Sequence, residues 1–460
     1  MMTPIRERDL LDLRPAMRGE VLRPGDLGYD GARRIFNAMI DRRPVLIGRC
    51  AATADVTACV RLGREHELVV AVRGGGHSLA GLAMCDGGLV IDLSPMKDVR
   101  VDAAGQRVRA QAGLTLAEFD RATQAVGLAS TMGVAPTTGI AGLTLGGGLG
   151  WLMGKHGLAC DNLVSATVVT ADGAVVNASV TENPDLFWGL RGGGGNFGIV
   201  TEFEYRLHPL TTVLGGAAFY PVEKAREVLR VFREFTASAP DELTCAAGIV
   251  PDPQGITRAA IVLCHSGELS QGEKLARRLD ALGPAVLNVI GPMPYLQQQA
   301  LFEPLYPAGW HHYWKSSFLR ALGDDAIDVL IEHAAAKPHP MAHAVLEHVH
   351  GAARNPAEET AFANREYDYN LLIIGMSPDA ADATPLREWA RNFWKAMLPY
   401  SAGRAYVNYL MEDDEERIAE AYGLNYHRLV ALKNKYDPTN FFRMNQNIRP
   451  TAAGAAGSMA

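Results

Sequence analysis

The sequence predicts an α+β protein with more than one domain. Between residues 45 and 110, short apolar runs alternate with glycine, aspartate and serine, which is the pattern of strands joined by turns. The segment 133–157 contains nine glycines, and after Pro209 longer helical and strand-like segments follow. The length of 460 residues exceeds what one hydrophobic core usually supports, so about two to three domains are expected.

The first half of the chain alternates predicted strands with short helices. The strand-like runs are 44–47, 67–73, 88–93, 107–112, 163–170 and 203–207. Helical spacing covers 55–65 and 115–126, where Thr115 and Glu118 form a capping box. The strand at 67–73 runs directly into a cluster of glycines.

The second half has its own pattern, and we predict a domain boundary near residue 212. Its helices are expected at 223–236, 272–282 and 385–398, and aromatic strands at 310–315, 367–374 and 404–410. The predicted domains are 1–212, 213–404 and 405–450, with the last segment returning to the first domain. Residues 451–460 are expected to be disordered.

Composition excludes several classes of function. The net charge of −7 and the pI near 6.0 give no basic surface for DNA or RNA. Charged residues near the start do not fit a secretory signal, and no apolar stretch reaches the length of a membrane span, so we expect a cytoplasmic protein with no membrane partner. The six cysteines form no C-x-x-C pair and are expected to be buried, reduced thiols.

The segment 73–78, Arg-Gly-Gly-Gly-His-Ser, follows a predicted strand and is the first candidate binding loop. Consecutive glycines allow backbone N–H groups to point into one concavity, a geometry that binds anions such as a pyrophosphate. The alternative is a glycine-rich turn with a solvent-exposed histidine. A second glycine motif, Gly193, Gly195 and Gly198, has dinucleotide-binding spacing but opens a strand rather than a helix, so we interpret the match as accidental.

Five motifs together carry a resemblance to a known family. They are 73–81 (RGGGHSLAG), 133–148 (GVAPTTGIAGLTLGGG), 157–173 (GLACDNLVSATVVTADG), 185–203 (DLFWGLRGGGGNFGIVTEF) and the C-terminal segment 406–450. This set resembles the vanillyl-alcohol-oxidase superfamily with its PCMH-type FAD-binding domain, and the C-terminal segment resembles the berberine-bridge-enzyme-like branch. The resemblance implies a two-part FAD-binding domain with an inserted antiparallel-sheet substrate domain.

The same resemblance implies where FAD would bind. The loop containing Arg73, Gly74, Gly75, Gly76 and Ser78 would surround the pyrophosphate, and His77 would bond covalently to the 8α-methyl group of the flavin. Further cofactor contacts are expected at Thr137, Gly139, Gly142, Gly198, Ile199 and Val200. A neutral imidazole is a good nucleophile, which makes the bond to His77 chemically reasonable.

A departure from the family pattern concerns the second covalent link that many members form through cysteine. This sequence has Ala135 at that position, and Cys160 belongs to a different motif, so a single link is expected. The family position that controls oxygen access corresponds to Thr138, which is small enough to favour an oxidase.

Candidates for the substrate chemistry come from the aromatic segments. If 404–410 is a strand, Tyr406 and Asn408 share a face; Asn408 would orient the substrate while Tyr406 or another group accepts the proton. These tyrosines could equally be ordinary core residues. The pairs Tyr367 with Tyr369 and His312 with Trp314 suit either a roof over the flavin or an ordinary sheet. His348 and His350 could share a strand face, but no metal site is predicted.

The sequence therefore predicts an FAD-linked oxidase that transfers a hydride from a small organic substrate to covalently bound FAD and passes the electrons to molecular oxygen, producing hydrogen peroxide. The alternatives are a dehydrogenase of the same fold that uses a quinone or protein acceptor, and a flavin-binding protein without turnover. The substrate class stays open between alcohol, sugar, amine and secondary metabolite, and no oligomeric state is predicted.

Overall fold

The computed structural model describes residues 13–355 and 359–451. The predicted disordered tail therefore lies, apart from Thr451, outside the described residues. The strands are β1 (Glu20–Leu22), β2 (Leu46–Arg49), β3 (Val70–Arg73), β4 (Leu89–Asp92), β5 (Val99–Asp102), β6 (Arg107–Gln111), β7 (Leu128–Ala129), β8 (Leu163–Val169), β9 (Val175–Ser179), β10 (Ile199–Arg206), β11 (His208–Pro209), β12 (Thr212–Tyr220), β13 (Leu243–Pro251), β14 (Thr257–His265), β15 (Leu287–Asn288), β16 (Gly291–Pro294), β17 (His311–Leu319), β18 (His343–His348) and β19 (Tyr369–Ser377).

Helices connect and cover these strands. They are α1 (Tyr29–Ala32), α2 (Thr53–Glu65), α3 (Leu116–Gln124), α4 (Ile140–Leu145), α5 (Met153–His156), α6 (Pro184–Leu190), α7 (Ala225–Thr236), α8 (Leu269–Ala276), α9 (Tyr295–Gln299), α10 (Asp324–Ala335), α11 (Ala383–Met397), α12 (Ile418–Tyr422) and α13 (Tyr426–Tyr436). None of these helices has the length and apolar character that a bilayer crossing requires.

The chain up to Pro209 forms three small sheets. The first has the order β1-β2-β4-β3, in which β4 pairs in parallel with both β2 and β3. The second is antiparallel with the order β5-β6-β10-β8-β9, and β7 pairs with β11. The predicted capping box at the start of α3 is confirmed: the N–H of Thr115 donates to the Glu118 carboxylate at 2.7 Å, and the N–H of Glu118 donates to the Thr115 hydroxyl at 3.4 Å.

The largest sheet begins at Thr212, next to the predicted domain boundary. Its antiparallel order is β15-β12-β14-β13-β18-β19-β17, with β16 also pairing with β12. The helices α7, α10 and α11 pack on one face, and their apolar side chains join those of the sheet in one buried cluster. Helix and antiparallel sheet therefore combine as predicted for an α+β protein.

The predicted strand at 404–410 is wrong. The backbone N–H of Tyr409 donates to the carbonyl of Tyr406 at 3.0 Å, which closes a 3-10 turn over Val407–Tyr409. The alternation of apolar and polar residues suggested a strand. The polar side chains of this segment instead bond to the glycine-rich segment before α5, and no strand within 13–355 or 359–451 pairs with it.

Candidate active site

One cavity of about 620 Å³ lies between the glycine-rich segments and the largest sheet. The predicted cofactor contacts that line it are Gly74, Gly75, Gly76, His77, Ser78, Gly139, Gly142, Gly198, Ile199 and Val200. The predicted catalytic residues Thr138, Tyr406 and Asn408 also line it. Segments far apart in the sequence thus meet at one site.

Close backbone contact explains the glycines in the cavity wall. A Cβ atom on Gly75 would lie 2.4 Å from the backbone nitrogen of Gly139, and a Cβ atom on Gly139 would lie 2.4 Å from the nitrogen of Gly75. Among the described residues, the backbone N–H groups of Gly74, Gly75 and Gly76 have no protein acceptor. These unpaired donors suit an anionic group such as the FAD pyrophosphate.

Two other glycines border open space instead. A Cβ atom on Gly142 or Gly195 would have no protein atom within 4 Å, although both residues line the cavity. A side chain at either position would project into space that a ligand can fill. The wall therefore fits a large cofactor that lies along the backbone, as FAD does.

Arg73 and Thr137 lie outside the residues that line the cavity. The guanidinium of Arg73 donates to the carbonyl of Ala32 and lies 4.0 Å from the buried carboxylate of Asp92. Thr137 is exposed, and its hydroxyl oxygen lies 3.0 Å from Nε2 of His77. Arg73 is therefore placed to support the loop, and Thr137 to orient the histidine.

His77 is held in an apolar setting. Its ring stacks on Phe36 with a centroid distance of 3.8 Å, and Phe36 stacks in turn on His312 at 4.4 Å. Burial, with a smaller contribution from His312, lowers the pKa of His77 to about 3, so the imidazole is neutral at ordinary pH. His77 lines the cavity, where a neutral imidazole would be a suitable nucleophile.

Tyr406 and Asn408 are joined to each other and to the glycine-rich segment. The hydroxyl oxygen of Tyr406 accepts from the N–H of Gly148 at 2.9 Å and from Nδ2 of Asn408 at 2.8 Å. Nδ2 of Asn408 also donates to the carbonyl of Leu143 at 3.1 Å. Burial raises the pKa of Tyr406, so its hydroxyl stays protonated and is poorly suited to accept a proton.

Glu347, which no sequence motif indicated, borders the cavity from β18. Its carboxylate accepts from Nδ2 of Asn370, directly opposite on β19, at 2.8 Å and from the hydroxyl of Tyr409 at 3.1 Å. Burial raises the pKa of Glu347 to about 7, although these two hydrogen bonds oppose the shift. A carboxyl group that titrates near neutral pH in a cavity is a candidate acid–base group. The only signal in the sequence was an acidic residue in a strand of otherwise apolar and histidine residues.

The other candidate residues separate into cavity and core positions. Trp314 lines the cavity and His312 does not. Tyr367 precedes β19, whereas the hydroxyl of Tyr369 lies 2.6 Å from that of Thr236 in the core, so the predicted pair does not share a strand face.

His348 ends β18, and His350 lies beyond it with its ring stacked on that of His348 at 4.3 Å. Within the described residues, no group of three or more possible ligands could hold a metal.

The two positions considered for a second link differ in location. Ala135 lines the cavity, where its methyl group offers no nucleophile. Cys160 is fully buried outside the lining, and burial raises the pKa of its thiol. All six cysteines are buried and free, as predicted.

Comparison with known proteins gives matches over both parts of the chain. A family model described as an FAD-binding domain matches residues 44–179, and one described as berberine and berberine-like matches residues 405–449. An FAD-linked oxidoreductase of Dictyostelium discoideum is 33% identical over 441 residues, which cover 95% of this chain and 95% of that protein. (R)-6-hydroxynicotine oxidase of Paenarthrobacter nicotinovorans is 32% identical, over 95% of this chain and 97% of that protein.

Solved structures are similar over the same length. The crystal structure of 6-hydroxy-D-nicotine oxidase from Arthrobacter nicotinovorans has a TM-score of 0.87 and 30% identity, covering 95% of this chain and 98% of that one. A chitooligosaccharide oxidase has a TM-score of 0.84 and 25% identity, covering 97% of this chain and all of that one. The arrangement of sheets described above is therefore that of FAD-binding oxidases.

Gly142 provides a test of the cavity as the flavin site. In a His77→Ala background, where no covalent bond would retain FAD, Gly142→Leu is expected to purify with less flavin, because its side chain would fill space that no protein atom occupies within 4 Å of the Cβ position. Overpacking costs about 1–3 kcal/mol, equivalent to about five- to hundredfold in affinity. The ratio of flavin to protein absorbance measures the effect.

Gly31→Leu is the matched control, since Gly31 also lies in a helix with no protein atom within 4 Å but outside the cavity lining. Gly31→Leu should keep the flavin content of its parent protein, and circular dichroism should show that both variants are folded. A Gly142→Leu protein with a full complement of flavin would contradict this location.

Proposed function

Because the chain belongs to the family of FAD-linked oxidoreductases that includes these relatives, we propose that it is an oxidase with FAD attached through His77 alone and with molecular oxygen as electron acceptor. The observation that carries the proposal is the continuity of one cavity from His77 and the glycine loop to Glu347 beneath the largest sheet. Bound FAD supplies the hydride acceptor, and reoxidation by oxygen gives hydrogen peroxide.

The covalent link is assigned to His77. Its neutral imidazole borders the cavity, and the stack on Phe36 together with the contact to Thr137 restricts the orientation of the ring. The new bond would replace one C–H bond of the flavin 8α-methyl group and one N–H bond of the imidazole. The two electrons released would leave through the flavin to oxygen.

Proton transfer from the substrate is assigned to Glu347. The carboxylate form accepts a proton from the O–H or N–H group next to the carbon that loses the hydride. Its hydrogen-bonding partners Asn370 and Tyr409 are neutral, and burial raises the pKa of Tyr409, so its phenol also stays protonated. Asn408, whose amide is already bonded to Tyr406 and Leu143, would hold the wall of the site.

Because a covalent bond between His77 and FAD would survive denaturation, acid-precipitated protein should keep its flavin. A protease digest should carry flavin mass on the peptide that contains His77, and the peptides that contain Ala135 and Cys160 serve as internal controls without it. His77→Ala should bind FAD that acid releases, because the glycine loop remains. Flavin found entirely in the acid supernatant of the parent protein, or on Cys160, would disprove this link.

Thr138 is expected to leave oxygen a path to the flavin. It is half-buried at the cavity wall next to Gly139, and as a β-branched residue its χ1 is restricted, so its small side chain leaves a persistent opening. Thr138→Leu should slow reoxidation of the reduced enzyme by oxygen and leave reduction by substrate largely unchanged. Stopped-flow spectroscopy measures the two half-reactions separately.

Thr138→Val is the size-matched control and should reoxidise at the parent rate. Equal oxygen rates in the leucine variant and the parent would place the access path elsewhere. Slow reoxidation of the parent enzyme by oxygen would favour the alternative function, a dehydrogenase with a quinone or protein as electron acceptor.

The ionisation of Glu347 is expected to set the pH dependence of flavin reduction. Burial raises its pKa to about 7, and the base is the deprotonated form, so the rate of anaerobic flavin reduction should rise as pH increases through about 7. Glu347→Gln should lose this dependence and about 10²–10⁴-fold in rate, the usual contribution of a general base. Ionisation of the substrate itself would persist in the variant, which separates the two effects. An unchanged pH profile in the variant would assign the base to another group.

A further inference from the structure

The end of the cavity beneath the largest sheet carries acidic groups and no permanent cation. Among the described lining residues, Glu347 and Asp252 are the acidic side chains, no lysine or arginine is present, and His77 is neutral. Asp252 is already paired, because its carboxylate lies 3.0 Å from Nε of Arg258 and accepts from two backbone N–H groups. Glu347 accepts hydrogen bonds from neutral partners, so its charge is not balanced by any described side chain.

Three aromatic residues share the cavity wall with this carboxylate. Tyr306, Trp314 and Tyr409 all line the cavity, and the ring of Trp314 lies 5.7 Å from that of Tyr306 and 5.8 Å from that of Tyr409. The hydroxyl of Tyr409 also donates to Glu347. Aromatic faces attract cations, and a group of such rings beside a carboxylate is a recurrent way of binding an ammonium group.

Most of the remaining wall is apolar, although the Thr244 hydroxyl and the Trp314 indole N–H line it without a partner among the described residues. On the sheet side it includes Phe302, Val345 and Leu372. A carboxylate or phosphate ester would meet Glu347 with no compensating cation. The lining therefore selects against anionic donors.

We propose that the electron donor is an apolar amine that binds as its ammonium ion, with the nitrogen beside Glu347 and next to the rings of Tyr306, Trp314 and Tyr409. This inference rests on the proposed function and specifies its substrate class. Glu347 takes the N–H proton, and the hydrogen on the adjacent carbon leaves with both bonding electrons to the flavin. The donor becomes an iminium ion, which water converts to a carbonyl compound and a smaller or ring-opened amine.

The binding test uses the holoenzyme and a cation that cannot be oxidised in this way. Trimethylphenylammonium is titrated against its uncharged isostere tert-butylbenzene, and the change in the visible flavin spectrum gives each dissociation constant. The cation is expected to bind about tenfold more tightly than the isostere, as a carboxylate and aromatic rings would provide. Equal affinities, or tighter binding of benzoate than of the cation, would overturn the proposal.

Two variants test which carboxylate causes the preference for the cation over its uncharged isostere. Glu347→Gln should reduce the preference for the cation to the part that the aromatic rings provide, and it should leave the affinity for tert-butylbenzene unchanged. Asp252→Asn is the matched control, because this lining carboxylate is already paired with Arg258, and it should keep the preference. A preference of undiminished size in Glu347→Gln would also overturn the assignment. An enzyme that selects the cation but whose flavin no donor reduces would refute the proposed oxidase function and leave the charge selectivity intact.

Discussion

The contact between two glycine backbones determines the geometry of the site. Gly75 and Gly139 approach so closely that a Cβ atom on either would lie 2.4 Å from the nitrogen of the other. His77 follows Gly75 by two residues, and Thr137 precedes Gly139 by two, so the same contact brings the imidazole within 3.0 Å of the threonine hydroxyl. One backbone contact thus positions both the residue assigned to the link and the segment that contains Thr138.

The C-terminal segment fixes the large sheet relative to this loop. Tyr406 bonds to Gly148 in the glycine-rich segment, while Lys315 of β17 forms a buried ion pair with Asp414 at 2.7 Å and a partly buried one with Asp413 at 3.0 Å. A buried ion pair needs good geometry to offset its desolvation, and removal of one partner leaves an uncompensated charge. These contacts therefore favour a defined distance between the glycine-rich segment and Glu347. Hydride transfer and proton transfer at one substrate would require such a fixed distance.

The cofactor half of the site could be predicted because backbone contact restricts sequence locally. Only glycine fits at positions such as Gly75, so the motif is visible without the fold. Glu347 was not visible, because its partners come from the opposite strand and from Tyr409, 62 residues later. The strand predicted at 404–410 failed for a related reason: the bond between Tyr406 and Gly148 spans 258 residues, and no local pattern encodes it.

Burial acts on three ionisable groups in one direction, towards the neutral form, yet gives them different chemistry. It lowers the pKa of His77 to about 3, which leaves a nucleophilic nitrogen, and it raises the pKa of Tyr406, which leaves a phenol that stays protonated. For Glu347 the raised pKa of about 7 still lies within reach of ordinary pH. Two neutral hydrogen-bond donors oppose the effect of burial there. The carboxyl group of Glu347 can therefore ionise at ordinary pH, whereas His77 and Tyr406 stay neutral. A substrate that brings positive charge into the cavity would stabilise that ionised form, and binding would then prepare the base that the reaction uses.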